Sequence, residues 1–273
     1  MDMRGSTYTV RASSWGSLFD CAYKWHGEHI LGIRKPAGLR AHLGTSIHAS
    51  TAAYDASRLP GAEGAPLSVD EAADIFFDTL HNPDRDVDYD QDDMRLSDAE
   101  RIGLRLHSAY CLDIAPHYTY IGVETKLEPL DIDCGGGMVV RLTGSMDRAR
   151  VADTPGGPLI ADVKTGTAVI KDGRVSIKGR SPQLGTYQLM YEQGQHVRTQ
   201  GAQIIALQTT STSATDVSDV FDARRVMVGT EDAPGLIEIA SQMFRSGLFP
   251  PNPSSHLCSE RYCARWSTCP YHE

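Results

Sequence analysis

The stretch LTGSMDRARVADTPGGPLIADVKTG, residues 142–166, is the most informative part of this chain for its fold. Side chains on a β-strand alternate between its two faces, so Asp162 and Lys164 share one face while Val163 points to the other. The segment before them alternates apolar and polar residues up to Asp147, and the Pro/Gly cluster between the two segments predicts a turn. We therefore expect a hairpin that brings Asp147 beside Asp162.

Neighbouring carboxylates of this kind can hold a divalent ion. Mg²⁺ and Mn²⁺ prefer oxygen ligands, and the ammonium group of Lys164 can help to activate water or stabilise negative charge that develops during a reaction. A single D-x-K triplet is common in proteins, so a surface hairpin with a salt bridge stays an alternative at this point. Residues elsewhere in the chain have to decide between the two.

Length and composition set the broad class of the protein. A chain of 273 residues can bury a sizeable core, and we expect one domain with insertions. There is no apolar run long enough to span a bilayer, and the segment MDMRGSTYTV lacks the apolar stretch of a signal peptide, so we expect a cytoplasmic protein without a membrane partner. The formal net charge of −9 argues against nonspecific attraction to nucleic acid, but carboxylates that bind metal are partly neutralised. Charge alone therefore does not exclude DNA.

Periodicity and capping signals predict helices first and strands later. The expected helices run from Ser13 or Ser14 to Trp25, from near Gly44-Thr45 onward, from the capping box Ser68-x-x-Glu71 to about Leu80, and from Ser97-x-x-Glu100 to about Ile114. From Tyr118 the pattern changes to a meander of three strands, a helix that begins at Ser181-Pro182, a buried strand in AQIIALQTT, and a closing helix over 231–246. The order β-β-β-α-β predicts an α/β fold, with a mixed β-sheet core flanked by helices.

The cysteines form a second constellation. Three of the six fall in CSERYCARWSTC, and a fourth lies in the first predicted helix: Cys258, Cys263, Cys269 and Cys21. In an intracellular protein this spacing favours a metal over a disulfide, and four thiolates are the usual complement of an iron–sulfur cluster. Zinc is the competing ligand, held by the three tail cysteines with Cys21, His256 or His272. From the residues alone a cluster, zinc and unligated thiols all stay open.

Seven motifs in order resemble the PD-(D/E)XK nuclease superfamily, and in particular its RecB-like branch, which includes the Cas4 nucleases, the AddB nuclease domain and related phage exonucleases. The motifs cover nearly the whole chain: SSWGSLFDCAYKW, LGTSIHAS, GVETKL, LTGSMDR, IADVKTG, QLGTYQ and CSERYCARWSTCP. The resemblance implies a restriction-endonuclease-like fold, with a mainly helical lobe over 1–117, a nuclease core over 118–250, and a cysteine-rich tail over 251–273 that closes onto Cys21.

The resemblance also implies roles for individual residues. It assigns a catalytic Mg²⁺ or Mn²⁺ to His48, Asp147, Asp162 and the backbone carbonyl of Val163, and it makes Lys164 catalytic. Glu124 would line the site and orient Lys164 or a water molecule. Gln183 and Tyr187, which stand one helical turn apart, would support the site and contact the DNA backbone. For the four cysteines it favours a 4Fe-4S cluster over zinc, although many relatives have a shorter gap between the first two tail cysteines.

The implied activity is that of a metal-dependent deoxyribonuclease. We expect an exonuclease that acts on single-stranded DNA or DNA with free ends, in recombination, repair or phage DNA processing. The chain has no G-x-x-x-x-G-K-[ST] phosphate loop, so unwinding would need a helicase or recombination partner, and a homo-oligomer could supply processivity. The alternative is a noncatalytic DNA-binding or assembly subunit with the same fold and a structural metal cluster.

Overall fold

The computed structural model describes residues 6–272, which are mostly helical up to residue 117 after an initial strand, mostly strands over 120–175, and a mixture of both thereafter. Residues 1–5, part of the segment considered for a signal peptide, lie outside the described residues. The α-helices are α1 Trp15–Asp20, α2 Ala22–His29, α3 Leu39–Ala56, α4 Val69–His81, α5 Leu96–Ala109, α6 Ser181–Gln195, α7 Arg224–Val228 and α8 Leu236–Ser246. A π-helix over Tyr110–Ile114 extends α5, and 3₁₀ turns occupy Ala12–Ser14, Ala115–His117 and Trp266–Thr268.

The longer strands form two sheets. They are β1 Ser6–Arg11, β4 Tyr120–Lys126, β5 Leu130–Asp133, β6 Met138–Thr143, β7 Ser145–Arg150, β8 Leu159–Gly166, β11 Gly201–Gln208 and β12 Ala214–Val217. The two-residue strands are β2 Ala37–Gly38, β3 Val87–Asp88, β9 Ile170–Lys171, β10 Arg174–Val175, β13 Gly229–Thr230 and β14 Ala233–Pro234. The larger sheet has the order β12-β11-β8-β7-β4, and the smaller has the order β1-β6-β5.

The larger sheet is mixed, as the sequence predicts. Strands β8 and β11 run parallel, and the other neighbours in this sheet run antiparallel. The two parallel strands are buried over most of their length, which fits the apolar residues that predominate in β11 and in the first half of β8. The α/β fold with a mixed sheet and flanking helices is therefore confirmed.

Two apolar cores lie on opposite faces of this sheet. On strand β8, Ile160 packs into the core made with α6, α8 and the smaller sheet, whereas Ala161 and Val163 pack into the core made with α3, α4 and α5. Asp162 lies between them in sequence and therefore faces the α6 side. Within residues 6–272, no helix combines the length and the apolar character that crossing a bilayer requires.

Several predicted boundaries are wrong. The first helix is broken at Cys21, which has extended backbone, and α3 begins at Leu39 rather than near Gly44. The expected second strand divides at Gly144 into β6 and β7, which belong to different sheets. Strands β4, β7 and β8 are antiparallel neighbours in the larger sheet, as a meander predicts, but β5 and β6 interrupt them in sequence and pair with the smaller sheet. Helix α5 begins one residue before Ser97, so Ser97 does not cap it.

Other boundary signals hold. The capping box of α4 is present: Ser68 Oγ accepts a hydrogen bond from the Glu71 amide at 3.2 Å, and the Ser68 amide donates to Glu71 Oε2 at 2.7 Å. Helix α6 begins at Ser181 with Pro182 in its first turn, where the missing N–H of proline costs nothing.

Candidate active site

Three carboxylates lie in a row across strands β4, β7 and β8. The register pairs Val123 with Arg148 and Thr125 with Met146, which sets Glu124 opposite Asp147. On the other side of β7, Arg148 pairs with Ala161, which sets Asp147 opposite Asp162. Residues directly opposite each other on neighbouring strands have Cβ atoms about 5 Å apart, so the sheet itself places the three acids together.

Asp147 is fixed by the hairpin that the sequence predicts. Its Oδ2 accepts a hydrogen bond from the Val163 amide at 2.9 Å, and the residue is only 9% exposed. This bond ties the side chain of one strand to the main chain of the next. The carboxylate therefore has a defined direction beside Asp162.

Asp162 is fully buried, and its two carboxylate oxygens have different partners. Gln183 Nε2 donates to its Oδ1 at 3.3 Å, and Lys164 Nζ lies 2.7 Å from its Oδ2. Lys164 thus pairs with the carboxylate oxygen that Gln183 does not contact. Burial, and then the charge of Asp147, raise the pKa of Asp162 above its usual range. A buried carboxylate is costly unless it is paired, and Lys164, together with a metal ion bound beside it, would relieve that cost.

His48 reaches the row from helix α3. Its Nδ1 lies 3.5 Å from Asp147 Oδ2. Burial, and then the charge of Lys164, lower the pKa of His48 to about 4. The imidazole is therefore neutral near pH 7, which is the form that binds metal ions.

Helix α3 comes close to β8 because residue 44 is a glycine. A Cβ atom on Gly44 would lie 2.5 Å from Thr165 Oγ1. His48 stands four residues further along, on the same side of the helix. The close approach at Gly44 thus sets how near His48 comes to the carboxylates.

Glu124 has an unusual backbone and a shifted pKa. Its φ of 44° lies in the left-handed region, which is uncommon for a residue other than glycine. Burial, and then the charge of Asp147, raise the pKa of Glu124 to about 7. Strained backbone and perturbed pKa values are concentrated at functional sites in proteins.

The donor atoms of three of these residues are close enough for one ion. Ligand atoms of His48, Glu124 and Asp147 all lie within 4.8 Å of one another, and they are the one such set of three that the described residues contain. An imidazole nitrogen and carboxylate oxygens are suitable ligands for a divalent ion. The resemblance gave Glu124 an orienting role and made Asp162 a ligand, whereas this set of three contains Glu124 and not Asp162, which lies on the next strand. The residues present therefore fit a divalent metal ion.

Gln183 and Tyr187 support the row from helix α6. Gln183 Nε2 donates to Tyr187 Oη at 3.0 Å as well as to Asp162. The tyrosine is 4% exposed, so its main contacts are inside the protein. Contact of these two residues with DNA stays a prediction.

The four predicted cysteine ligands line one cavity, although they come from opposite ends of the chain. The cavity is bordered by Cys21, Cys258, Cys263 and Cys269, among other residues. Neither His256 nor His272 borders it. Cys111 is buried elsewhere in the α3–α5 core, and Cys134 follows strand β5. The break between α1 and α2 places the Cys21 side chain at this cavity.

The fold and the site together define an α/β protein with a metal-type carboxylate site on its central sheet. Residues 12–270 match the sequence pattern of the PD-(D/E)XK nuclease superfamily, and the chain belongs to that superfamily. This makes it a member of a nuclease family, whose activity is the hydrolysis of phosphodiester bonds.

Solved structures agree on the fold. Fourteen chains of known structure match this one. One is the crystal structure of a protein described as a "Putative exonuclease" from Eubacterium rectale, with 12% sequence identity, a TM-score of 0.53, and coverage of 89% of this chain and 84% of the other. At this level of identity the likeness shows a common fold. No curated protein matches the chain.

Proposed function

We propose that this protein is a metal-dependent deoxyribonuclease of the RecB-like branch, and that it acts as an exonuclease on single-stranded DNA or DNA with free ends. The observation that carries the proposal is the row Glu124, Asp147 and Asp162, with a neutral histidine and a lysine beside it. In a surface hairpin with a salt bridge the carboxylates would be exposed, whereas Asp147 is 9% and Asp162 0% exposed.

The residues divide the work between binding and chemistry. His48, Asp147, Asp162 and the carbonyl of Val163 would hold the metal, with Glu124 as a further ligand or as the residue that orients water. Mg²⁺ or Mn²⁺ bound there would supply Lewis-acid chemistry to a scissile phosphate.

Lys164 provides a positive charge in the site that does not depend on a bound metal ion. Its ammonium group lies 2.7 Å from Asp162 Oδ2, and its side chain is 17% exposed. In this half-enclosed position the lysine can stabilise the negative charge that a phosphate gains during hydrolysis. Asp162 holds the lysine in place through this contact, and the same carboxylate would also bind the metal ion.

A cleavage assay with a matched control tests the proposal. We expect the wild-type protein to degrade end-labelled linear DNA with Mn²⁺ and not with EDTA, and to leave covalently closed circles intact. D162A should fold and lose activity. D131A removes an exposed carboxylate that pairs with Arg141 on the smaller sheet, and it should keep full activity. DNA binding without cleavage would favour a noncatalytic assembly subunit, and full activity of D162A would refute the assigned site.

The second metal centre in the proposal is a 4Fe-4S cluster on Cys21, Cys258, Cys263 and Cys269. All four border one cavity, and no histidine borders it. A site of four thiolates without a histidine suits an iron–sulfur cluster, whose role would be to fasten the tail to helix α2.

Metal analysis separates the two possibilities. Protein purified without oxygen should be brown and contain about four iron atoms per chain, as four thiolates around a cubane require. A colourless preparation with one zinc per chain would contradict the cluster.

The cellular setting follows from the proposed activity. The protein would work in the cytoplasm, in recombination, repair or the processing of phage DNA. A helicase or recombination partner would supply unwinding, and a homo-oligomer could supply processivity. Co-purification with a helicase during DNA damage or phage infection would support this setting.

A further inference from the structure

Arg148 is a buried cation next to the carboxylate row. Its side chain is 0% exposed. Its Nη1 donates to the main-chain carbonyl of Asp147 at 2.8 Å and to Glu124 Oε1 at 3.3 Å. The same guanidinium group therefore contacts two members of the row from behind, on the side away from helix α6.

The other side of the guanidinium group is anchored in the helical lobe. Arg148 Nε donates to Asp55 Oδ2 at 2.7 Å, and Asp55 is 1% exposed. Tyr110, in the π-helix after α5, donates to the same oxygen at 2.5 Å and lies 3.1 Å from the hydroxyl of Tyr120 on β4. The network joins α3, the π-helix and two strands of the sheet.

A network of this kind is expensive as a means of stability alone. Buried ion pairs gain little over well-packed apolar side chains, because both charges lose their hydration. Arg148 also has five N–H donors in a rigid fork, so it can hold several partners in a fixed arrangement. The pattern of its contacts points to a positioning role.

We propose that Arg148, anchored by Asp55, is a positioning residue that fixes Glu124 and the main chain of Asp147 for metal binding and DNA cleavage. Glu124 needs such support because its backbone has φ of 44°, a conformation that persists when its surroundings impose it. The role rests on the proposed function, and the metal-binding part of the test is independent of cleavage.

The neighbouring buried arginine provides a matched control. Arg150 lies two residues further on β7, is 1% exposed, and donates to Gln203 Oε1 at 3.1 and 2.9 Å and to Asp153 at 3.2 Å. These partners are outside the carboxylate row. R148K and R150K thus make the same change at two buried positions of one strand.

The test compares R148K with R150K. A lysine at 148 keeps a charge for Asp55 but lacks the fork that reaches Glu124 at the same time. We expect R148K to lower kcat about 100-fold, as a misplacement of about 1 Å does, with KM for DNA nearly unchanged. Titration with Mn²⁺, followed by electron paramagnetic resonance, should show about 10-fold weaker binding. R150K should keep a kcat and an Mn²⁺ affinity close to those of the wild type.

Defined results would overturn the positioning role. R148K and R150K with equal kcat and equal Mn²⁺ affinity would show that Arg148 serves stability alone. If R148K does not fold, R148M/D55L decides, because replacing both charges by apolar groups restores packing without restoring the tether. Recovery of kcat and Mn²⁺ affinity in that variant would also overturn the role.

Failure of the proposed function gives a different result. Wild-type protein that binds Mn²⁺ and cuts no DNA would refute the nuclease proposal. The Mn²⁺ titration of R148K against R150K would still decide the role of Arg148.

Discussion

Replacing Gly44 by alanine tests how helix α3 sets the geometry of the site. The added Cβ would lie 2.5 Å from Thr165 Oγ1, whereas ordinary contacts begin near 3.4 Å. The shortfall, 3.4 minus 2.5, is about 0.9 Å. Thr165 Oγ1 can turn away only by leaving its χ1 rotamer, so we expect α3 and β8 to separate by up to about 0.9 Å. His48 stands one turn further along α3, so the movement would carry it away from Asp147.

The size of the effect differs between stability and activity. Overpacking costs about 1–3 kcal/mol, but alanine in a helix gains about 1 kcal/mol over glycine, so we expect a net loss of about 0–2 kcal/mol. A displacement of about 1 Å at a catalytic group lowers the rate about 100-fold. Activity should therefore fall much more than stability. Urea unfolding and the rate of DNA cleavage measure the two.

A second substitution tests whether the contact with Thr165 Oγ1 causes the loss of activity in G44A. T165A removes Oγ1 and leaves the nearest side-chain atom, Thr165 Cβ, at 3.7 Å from the new Cβ of residue 44. G44A/T165A should therefore regain the activity of T165A. G194A is the control, since a Cβ on Gly194 in α6 meets nothing within 4 Å, and it should keep full activity. Wild-type activity in G44A would refute the reasoning. A G44A/T165A variant with activity as low as that of G44A, while T165A alone stays active, would also refute it.

Three further changes test other parts of the molecule. In EDTA, E124Q should have a higher Tm than the wild type at pH 8 but the same Tm at pH 5. The pKa of Glu124 is raised from 4.5 to about 7 in the folded protein. Deprotonation of Glu124 therefore destabilises the wild-type fold as the pH rises from 4.5 to about 7, and glutamine cannot deprotonate. An equal difference at both pH values would contradict the shift. S68A should lower the free energy of unfolding by about 1 kcal/mol, because the α4 cap is lost, and should leave DNA cleavage unchanged. A free energy of unfolding equal to that of the wild type would show that the cap does not stabilise the protein. C263S should lose iron and lower Tm, while C134S keeps both; equal iron content in the two would count against the four-cysteine cluster.

The hairpin that carries the site was predictable because it depends on local rules. Strand alternation puts Asp162 and Lys164 on one face, and the Pro/Gly turn returns the chain beside Asp147. Glu124 joins the row only through the register between β4 and β7, whose strands lie far apart in sequence, so its place came from the family resemblance.

The missed boundaries depend on contacts between distant segments. Strands β6 and β7 separate at Gly144, where a Cβ atom would lie 2.8 Å from the ring of Tyr187 in α6. The first helix breaks at Cys21, just before the Tyr23 amide donates to the Pro250 carbonyl near the tail. Periodicity within one segment carries no information about such partners.

Arg148 was missed for a related reason. It stands in a strand whose residues alternate between apolar and polar, and an arginine in such a strand is usually exposed. Its burial depends on Asp55 and Tyr110, which come from the helical lobe. A local pattern cannot reveal a buried ion pair between residues that far apart.

The most direct test of the central claim is the rate at which K164A releases nucleotides from end-labelled linear DNA with Mn²⁺. With its fold verified by circular dichroism, K164A should cut at least about 100-fold more slowly than wild type, because a preorganised charge is lost from the site. A folded K164A with the full rate of the wild-type protein would contradict the assignment of this carboxylate row and its lysine as the catalytic centre.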